Sequence, residues 1–263
     1  MNHYSHGRLR ALKCLLILLA GGLYATTSLR PSQICTLVPA RAQTSPAQRA
    51  GDANENARFD ELVRADFFAG MMGDEARLTR GMKFCEDILA QNPKHAEALV
   101  WHGGGLLTRA AQAYARDEQA LGDKLWQRGL AEMNKAVEFE PQNMGVKIGR
   151  SATLIGLAQA GWDSSDEQAR ALLLSALADY EKVYRWQKPT FHELSIHSRG
   201  ELLFGLASGW SILGERQKAV AYLRLIVAAC KGTSYEREAR HWLSINPLPV
   251  VQHDCIGCHI KPD

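Results

Sequence analysis

Three prolines, Pro93, Pro141 and Pro189, stand 48 and 48 residues apart. Each follows a stretch patterned as a helix, and proline stops a helix at its C-terminal end. Setting the prolines in register also aligns Arg80-Gly81-Met82 with Arg128-Gly129-Leu130, and Ile88-Leu89 with Ala136-Val137. From Arg58 onward no alternating run of β-branched residues is long enough for a strand. A fixed period of this size marks units that bury their apolar faces against their neighbours. The expected fold is therefore an all-α array.

Three segments carry a more specific likeness. Asn134-Lys135-Ala136-Val137-Glu138-Phe139-Glu140-Pro141-Gln142-Asn143 resembles the second-helix ending of a tetratricopeptide repeat. Asn92-Pro93-Lys94-His95-Ala96-Glu97-Ala98-Leu99 resembles the junction into the next unit's first helix. Between Leu203 and Val227, Leu206-Ala207, Trp210, Leu213-Gly214-Glu215 and Ala219-Val220 fall where that family places its packing residues. The resemblance covers about residues 58–243 and implies an antiparallel helix-pair solenoid whose concave groove takes a peptide or protein segment. The period departs from the family's, at 48 in place of about 34 residues. Segments 116–124 and 162–167 are the expected sites of the excess, with Ser164 and Glu167 as a capping box.

Composition bears on the partner. The chain has a formal net charge of +3, but residues 1–42 hold Arg8, Arg10, Lys13, Arg30 and Arg41 and no acid. Removing those five leaves −2 for the remainder, so the basicity belongs to the leader and a nucleic-acid partner is not expected. Arg8, Arg10 and Lys13 precede the apolar run Cys14–Ala25, and Ala40-Arg41-Ala42 has the small-residue form of a cleavage site. Cleavage after Ala25 is the other position. The twelve-residue run is short against the roughly 20 residues of a membrane span. Export to the periplasm is expected, with membrane attachment only through an uncleaved N-terminal segment. The expected organisation is a signal peptide or anchor over 1–42, a linker over 43–57, the helical domain over 58–245 and a tail over 246–263.

The tail carries the chemistry. Asn246-Pro247-Leu248-Pro249 breaks the helical pattern, and Cys255-Ile256-Gly257-Cys258-His259 follows. This is C-x-x-C-H, the attachment signature of a c-type haem. Two thiols at this spacing reach the two vinyl groups, and the adjacent imidazole, His259, faces the iron as axial ligand. The motif is similar to that of the cytochrome c family over these five residues alone, since four residues follow His259. Any haem would be covered by the helical array or by a partner. Two other readings stay open: a Cys255–Cys258 disulfide or exchanging thiol pair, and a zinc site using Cys255, Cys258 and His253 or His259 with a ligand from elsewhere. No βαβ context supports a thioredoxin-like enzyme.

Within the array, His102 is a candidate sixth haem ligand, because Gly103, Gly104 and Gly105 would let a flat ring approach the backbone. The competing reading makes Gly103 a small packing residue and His102 a semi-buried neighbour. His192, His197 and His241 are closer to the tail but no more specific, and Met71 and Met72 read as core. Cys85 and Cys230 read as buried apolar residues, with a bridge between them as an alternative. The pairs Asp60-Glu61, Asp117-Glu118 and Asp166-Glu167 suit helix starts and solvated faces better than acid–base catalysis. The six tryptophans are dispersed as inter-helix filler. No G-x-G-x-x-G, Walker loop, G-x-S-x-G, H-E-x-x-H or EF-hand pattern occurs. The sequence therefore reads as an exported scaffold carrying haem c, acting in electron transfer or assembly with a periplasmic redox protein, and not as an enzyme. The alternative is a haem-free interaction scaffold whose tail is a disulfide or metal clip.

Overall fold

The computed structural model describes residues 58–159 and 166–248. Among the described residues the chain is all-α, with nine α-helices and a short 3₁₀ segment. The helices are α1 (Phe59–Met71), α2 (Glu75–Gln91), α3 (Ala96–Ala115), α4 (Gln119–Phe139), α5 (Met144–Gln159), α6 (Glu167–Gln187), α7 (Ile196–Ile212), α8 (Arg216–Ala229) and α9 (Ser234–Ser244). The 3₁₀ segment, Lys188–Glu193, joins α6 to α7. Consecutive helices pack as pairs: α1 with α2, α3 with α4, α5 with α6, and α7 with α8. First helices also touch across pairs, α1 on α3, α3 on α5 and α5 on α7. This architecture is compatible with a helical solenoid.

The turns explain the pairing. Inside three pairs a single residue takes positive φ: Gly73 at 103°, Asp117 at 60° and Gly214 at 75°. In each turn the following amide donates back to a carbonyl five residues earlier: Asp74 to Ala69, Glu118 to Ala113 and Glu215 to Trp210. This left-handed stop satisfies carbonyls that a helix end would otherwise leave open. Between pairs the junctions match at the 48-residue period. His95 N donates to Asn92 O and Asn143 N to Glu140 O, both at 3.0 Å. His95 Nδ1 then accepts from Ala98 N at 3.2 Å, and Asn143 Oδ1 from Val146 N at 3.1 Å. These are N-caps for α3 and α5. All three prolines lie just beyond a second helix, where a missing N–H costs nothing.

Around 116–124 the excess length lies in the helices and not in their connection, and one expected cap needs correction. The α3–α4 connection spans Arg116, Asp117 and Glu118, and the added residues extend α3 to 20 and α4 to 21 residues. Gly122 lies inside α4, where an added Cβ would sit 2.5 Å from the Tyr114 ring. The cap of α6 is Asp166 and not Ser164: its carboxylate accepts from the amides of Gln168 and Ala169. Ser164 lies outside the described residues.

The core runs along the array as three apolar clusters. Val63, Phe67, Leu78, Met82, Cys85, Ala98 and Leu106 join α1, α2 and α3. Leu99, Leu107, Tyr114, Trp126, Met133 and Val146 join α3, α4 and α5. The third cluster, including Leu177, Tyr180, Phe204, Trp210, Leu223, Tyr235 and Trp242, extends from α5 to α9. α3 serves the first two clusters from opposite faces, which is how neighbouring units share burial. Leu248 belongs to the third cluster, so packing continues three residues past the boundary expected at 245. Met72 departs from the core expectation: it caps the end of α1 and is half exposed. No described helix is long and apolar enough to cross a membrane.

Candidate functional site

Cys255, Cys258 and His259, with His253, lie outside the described residues, as do the leader and the linker. What the structure defines is the frame to which the tail is joined. α9 ends at Ser244, and Leu248 is buried in the same apolar cluster as Tyr235 and Phe204. Leu248, the last described residue, is thus packed into the cluster that runs from α5 to α9.

His102 is enclosed within the array at 1% exposure. Its Nδ1 lies 2.5 Å from Glu132 Oε2 on α4, and its Nε2 lies 3.5 Å from Glu86 Oε1 on α2. The other Glu132 oxygen accepts from Arg128 Nε at 2.8 Å. Burial pushes the Glu132 carboxyl upward, but hydrogen bonds and charge from His102 and Arg128 together outweigh it, and it falls below its ordinary value. The Nδ1 hydrogen bond ties α3 to α4, while Nε2 is buried near Glu86 of α2 with no hydrogen-bond partner.

Helices occupy the faces of the glycine triplet. A Cβ at Gly103 would lie 2.8 Å from Gly129 O and 2.9 Å from Met133 Cγ. Reciprocally, a Cβ at Gly129 would lie 2.8 Å from Gly103 O. α3 and α4 thus cross backbone to backbone at a glycine pair. A Cβ at Gly105 would meet Met82 and Phe67. The small-residue packing reading accounts for these positions; the ring-approach reading finds Met133, Met82 and Phe67 in the space.

Cys85 and Cys230 are both buried and both free thiols. Cys85 belongs to the first cluster and Cys230 to the third, so they are not bridged. Burial, reinforced by the charges of Glu132 and Glu86, pushes the Cys85 thiol up to about 12. That removes it from nucleophilic or metal chemistry near neutral pH. Among the described tryptophans, Trp126, Trp210 and Trp242 are buried and the other two half-buried, in keeping with inter-helix filling.

Two polar constellations escaped the sequence. In the first, Lys147 and Arg150 on α5 share Asp179 of α6, at 2.6 Å and 2.9 Å. Arg150 also donates to Asn134 Oδ1 at 3.1 Å and to Ser175 Oγ at 2.6 Å. Two nearly buried cations thus lean on one carboxylate, pinning α5 to α6 and, through Asn134, to α4. The i, i+3 spacing of Lys147 and Arg150 was visible. Asp179, 32 and 29 residues away, gave no local signal.

In the second, His197 Nδ1 lies 2.8 Å from Tyr235 Oη, and Tyr235 Oη donates to Glu201 Oε1 at 2.6 Å. His197 and Glu201 share one face of α7, four residues apart, and Tyr235 reaches them from α9. Gly200 makes room, since a Cβ there would lie 2.5 Å from the tyrosine ring. Tyr235 thus links α9 to His197 and Glu201 on α7.

Among the described residues no group of three or more His, Cys, Asp or Glu side chains is placed to hold a metal ion. The ionisable groups inside the array tie helices to one another. Comparison of the chain with protein-family models, with curated proteins and with solved structures finds no match in any of the three.

Proposed function

We propose that this chain is an exported scaffold, similar to tetratricopeptide-repeat proteins, that carries one covalently attached haem on its C-terminal tail. The observation that carries the reading is Cys255-Ile256-Gly257-Cys258-His259, which begins seven positions after Leu248, the last described residue. Cys255 and Cys258 would each add S–H across a haem vinyl group, with no leaving group, and His259 would bind the iron as axial ligand. The acid-free basic leader supports export, which the attachment chemistry requires. The tetratricopeptide likeness is supported by helix pairs in chain order, by first helices stacking on first helices, and by junctions recurring at Pro93 and Pro141.

The function that follows is electron transfer or assembly within a periplasmic redox complex, with a partner protein held against the array. Large apolar side chains are exposed on first helices (Leu62, Ile148, Ile196) and on second helices (Leu121, Leu174, Leu225) alike, so the reading of a protein partner rests on the tetratricopeptide likeness. His102, hydrogen-bonded to Glu132, is a structural residue on this reading. The test is expression with cytochrome-maturation machinery, followed by denaturing electrophoresis and haem peroxidase staining. A stained band at the chain's mass supports the proposal. An unstained band, with Cys255 and Cys258 disulfide-linked or holding zinc, replaces it with the haem-free scaffold.

A further inference from the structure

We propose that His102 is a proton-operated latch: a second proton on its ring, at Nε2, recruits Glu86 and ties the first helix pair to the second. The latch is built within the array and is independent of the haem reading. Three observations lead there.

The first is the proton order of the ring. Glu132 is ionised near neutral pH, since its carboxyl falls below its ordinary value, and an ionised carboxylate only accepts. At the 2.5 Å contact Nδ1–H is therefore the donor. That places the neutral ring's lone pair on Nε2. Nε2 is buried without a hydrogen-bond partner, and Glu86 Oε1, 3.5 Å from it, is a second acceptor. Two acceptors thus face each other with no hydrogen between them, an arrangement that costs stability at a buried atom.

The second is charge. From α4, Glu132 and its partner Arg128 face the ring, and from α2, Glu86 does. The Cys85 thiol of α2 lies near the same two carboxylates, and burial keeps it uncharged. α1 and α5 set Phe67 and Thr153 against the neighbouring Gly105 and Gly104, and no charged group of theirs pairs with His102 among the described residues. Two carboxylates therefore stand against one guanidinium, and a neutral ring leaves one negative charge in surplus. A proton on Nε2 removes the surplus and turns the acceptor pair into a donor and an acceptor.

The third is freedom to close. Met82, Cys85 and Glu86 follow one another at i, i+3 and i+4, so Glu86 stands at the edge of the face that α2 packs on α3. Its side chain is 49% exposed and makes no other ion pair among the described residues. Shortening the 3.5 Å separation to a charge-assisted hydrogen bond takes a movement of about 0.7 Å. α2 belongs to the first pair and α3 and α4 to the second, so the closed contact bridges two units.

The experiment uses the full chain, with nitrogen-15 NMR of the His102 ring and amide hydrogen exchange along α2. Both are measured between about pH 8 and about pH 5, where imidazoles titrate. Exchange is expressed as protection factors, which remove its intrinsic pH dependence. At the upper pH the ring is expected to carry its hydrogen on Nδ1 alone. On acidification Nε2 is expected to gain one, and protection around Glu86 to rise about tenfold. Glu86→Ala is expected to abolish the rise. In Glu86→Gln the amide donates to a bare Nε2 and the carbonyl accepts from a protonated one, so high protection is expected at both ends of the range. Far-UV circular dichroism checks that both variants keep their helices. A ring that already carries Nε2–H at the upper pH, a ring that gains no second proton, or a rise in protection that survives Glu86→Ala overturns the proposal.

Discussion

Replacing Gly103 and Gly104 one at a time by alanine separates the two readings of the glycine triplet. Both positions are interior to α3, so each alanine gains about 1 kcal/mol of helix propensity. Their surroundings differ. The Gly104 Cβ would meet Met133 Cε at 3.5 Å and Thr153 Oγ1 at 3.7 Å, which is ordinary contact. The Gly103 Cβ would lie 2.8 Å from the Gly129 carbonyl oxygen and 2.9 Å from Met133 Cγ. Met133 can move, but the carbonyl belongs to α4 and moves only with that helix. Forcing the helices apart costs up to about 3 kcal/mol, leaving a net loss near 2 kcal/mol. The expectation is that Gly104→Ala stabilises by about 1 kcal/mol and Gly103→Ala destabilises by about 2 kcal/mol. Urea denaturation followed by far-UV circular dichroism reads both. Because the close approach is reciprocal, Gly129→Ala should match Gly103→Ala, and the double variant should cost less than the sum. Equal effects at 103 and 104, or a neutral Gly103→Ala, would refute the glycine crossing.

Three further outcomes follow from the same packing. Asp179→Ala leaves Lys147 and Arg150 nearly buried without their shared carboxylate, and should cost about 3–5 kcal/mol in the same denaturation assay. A loss below about 1 kcal/mol would show the cluster to be solvated. At the inter-helix turns, Gly73→Ala should lower the unfolding midpoint because its φ is 103°, whereas Asp117→Gly should raise it by relieving a φ of 60°; calorimetry showing the reverse order would refute the shared turn geometry. Glu132 titrates below its ordinary value of 4.5 in the folded chain. Its contribution is therefore complete above the unfolded value and is lost as pH falls through the lower folded one. Stability measured from pH 7 down to pH 3 should fall less steeply in Glu132→Gln than in wild type, and parallel curves would count against the His102–Glu132 bond.

The array was legible where its signals are local. The Asn92-Pro93-Lys94-His95 and Glu140-Pro141-Gln142-Asn143 junctions combine a helix stop with the next N-cap inside four residues, and both stand where the spacing put them. Gly214, placed among the packing residues by the tetratricopeptide likeness, takes a φ of 75° in the turn between α7 and α8. Ser164 misled because Asp166, two residues on, is an equally good cap. The polar constellations were not legible at all. His197 and Tyr235 are 38 residues apart, and Arg150 and Asp179 are 29 apart, so only the stacking of helices brings them together. The tail shows the opposite balance: the chemistry proposed for it rests on five adjacent residues of the sequence, and these lie outside the described residues.

Intact-mass measurement of the exported full chain tests the central claim most directly. The account predicts the mass of the polypeptide plus one haem, retained under denaturing and acidic conditions and absent from Cys255→Ser/Cys258→Ser. A bare polypeptide two hydrogens light, or one carrying a metal that acid removes, would contradict it.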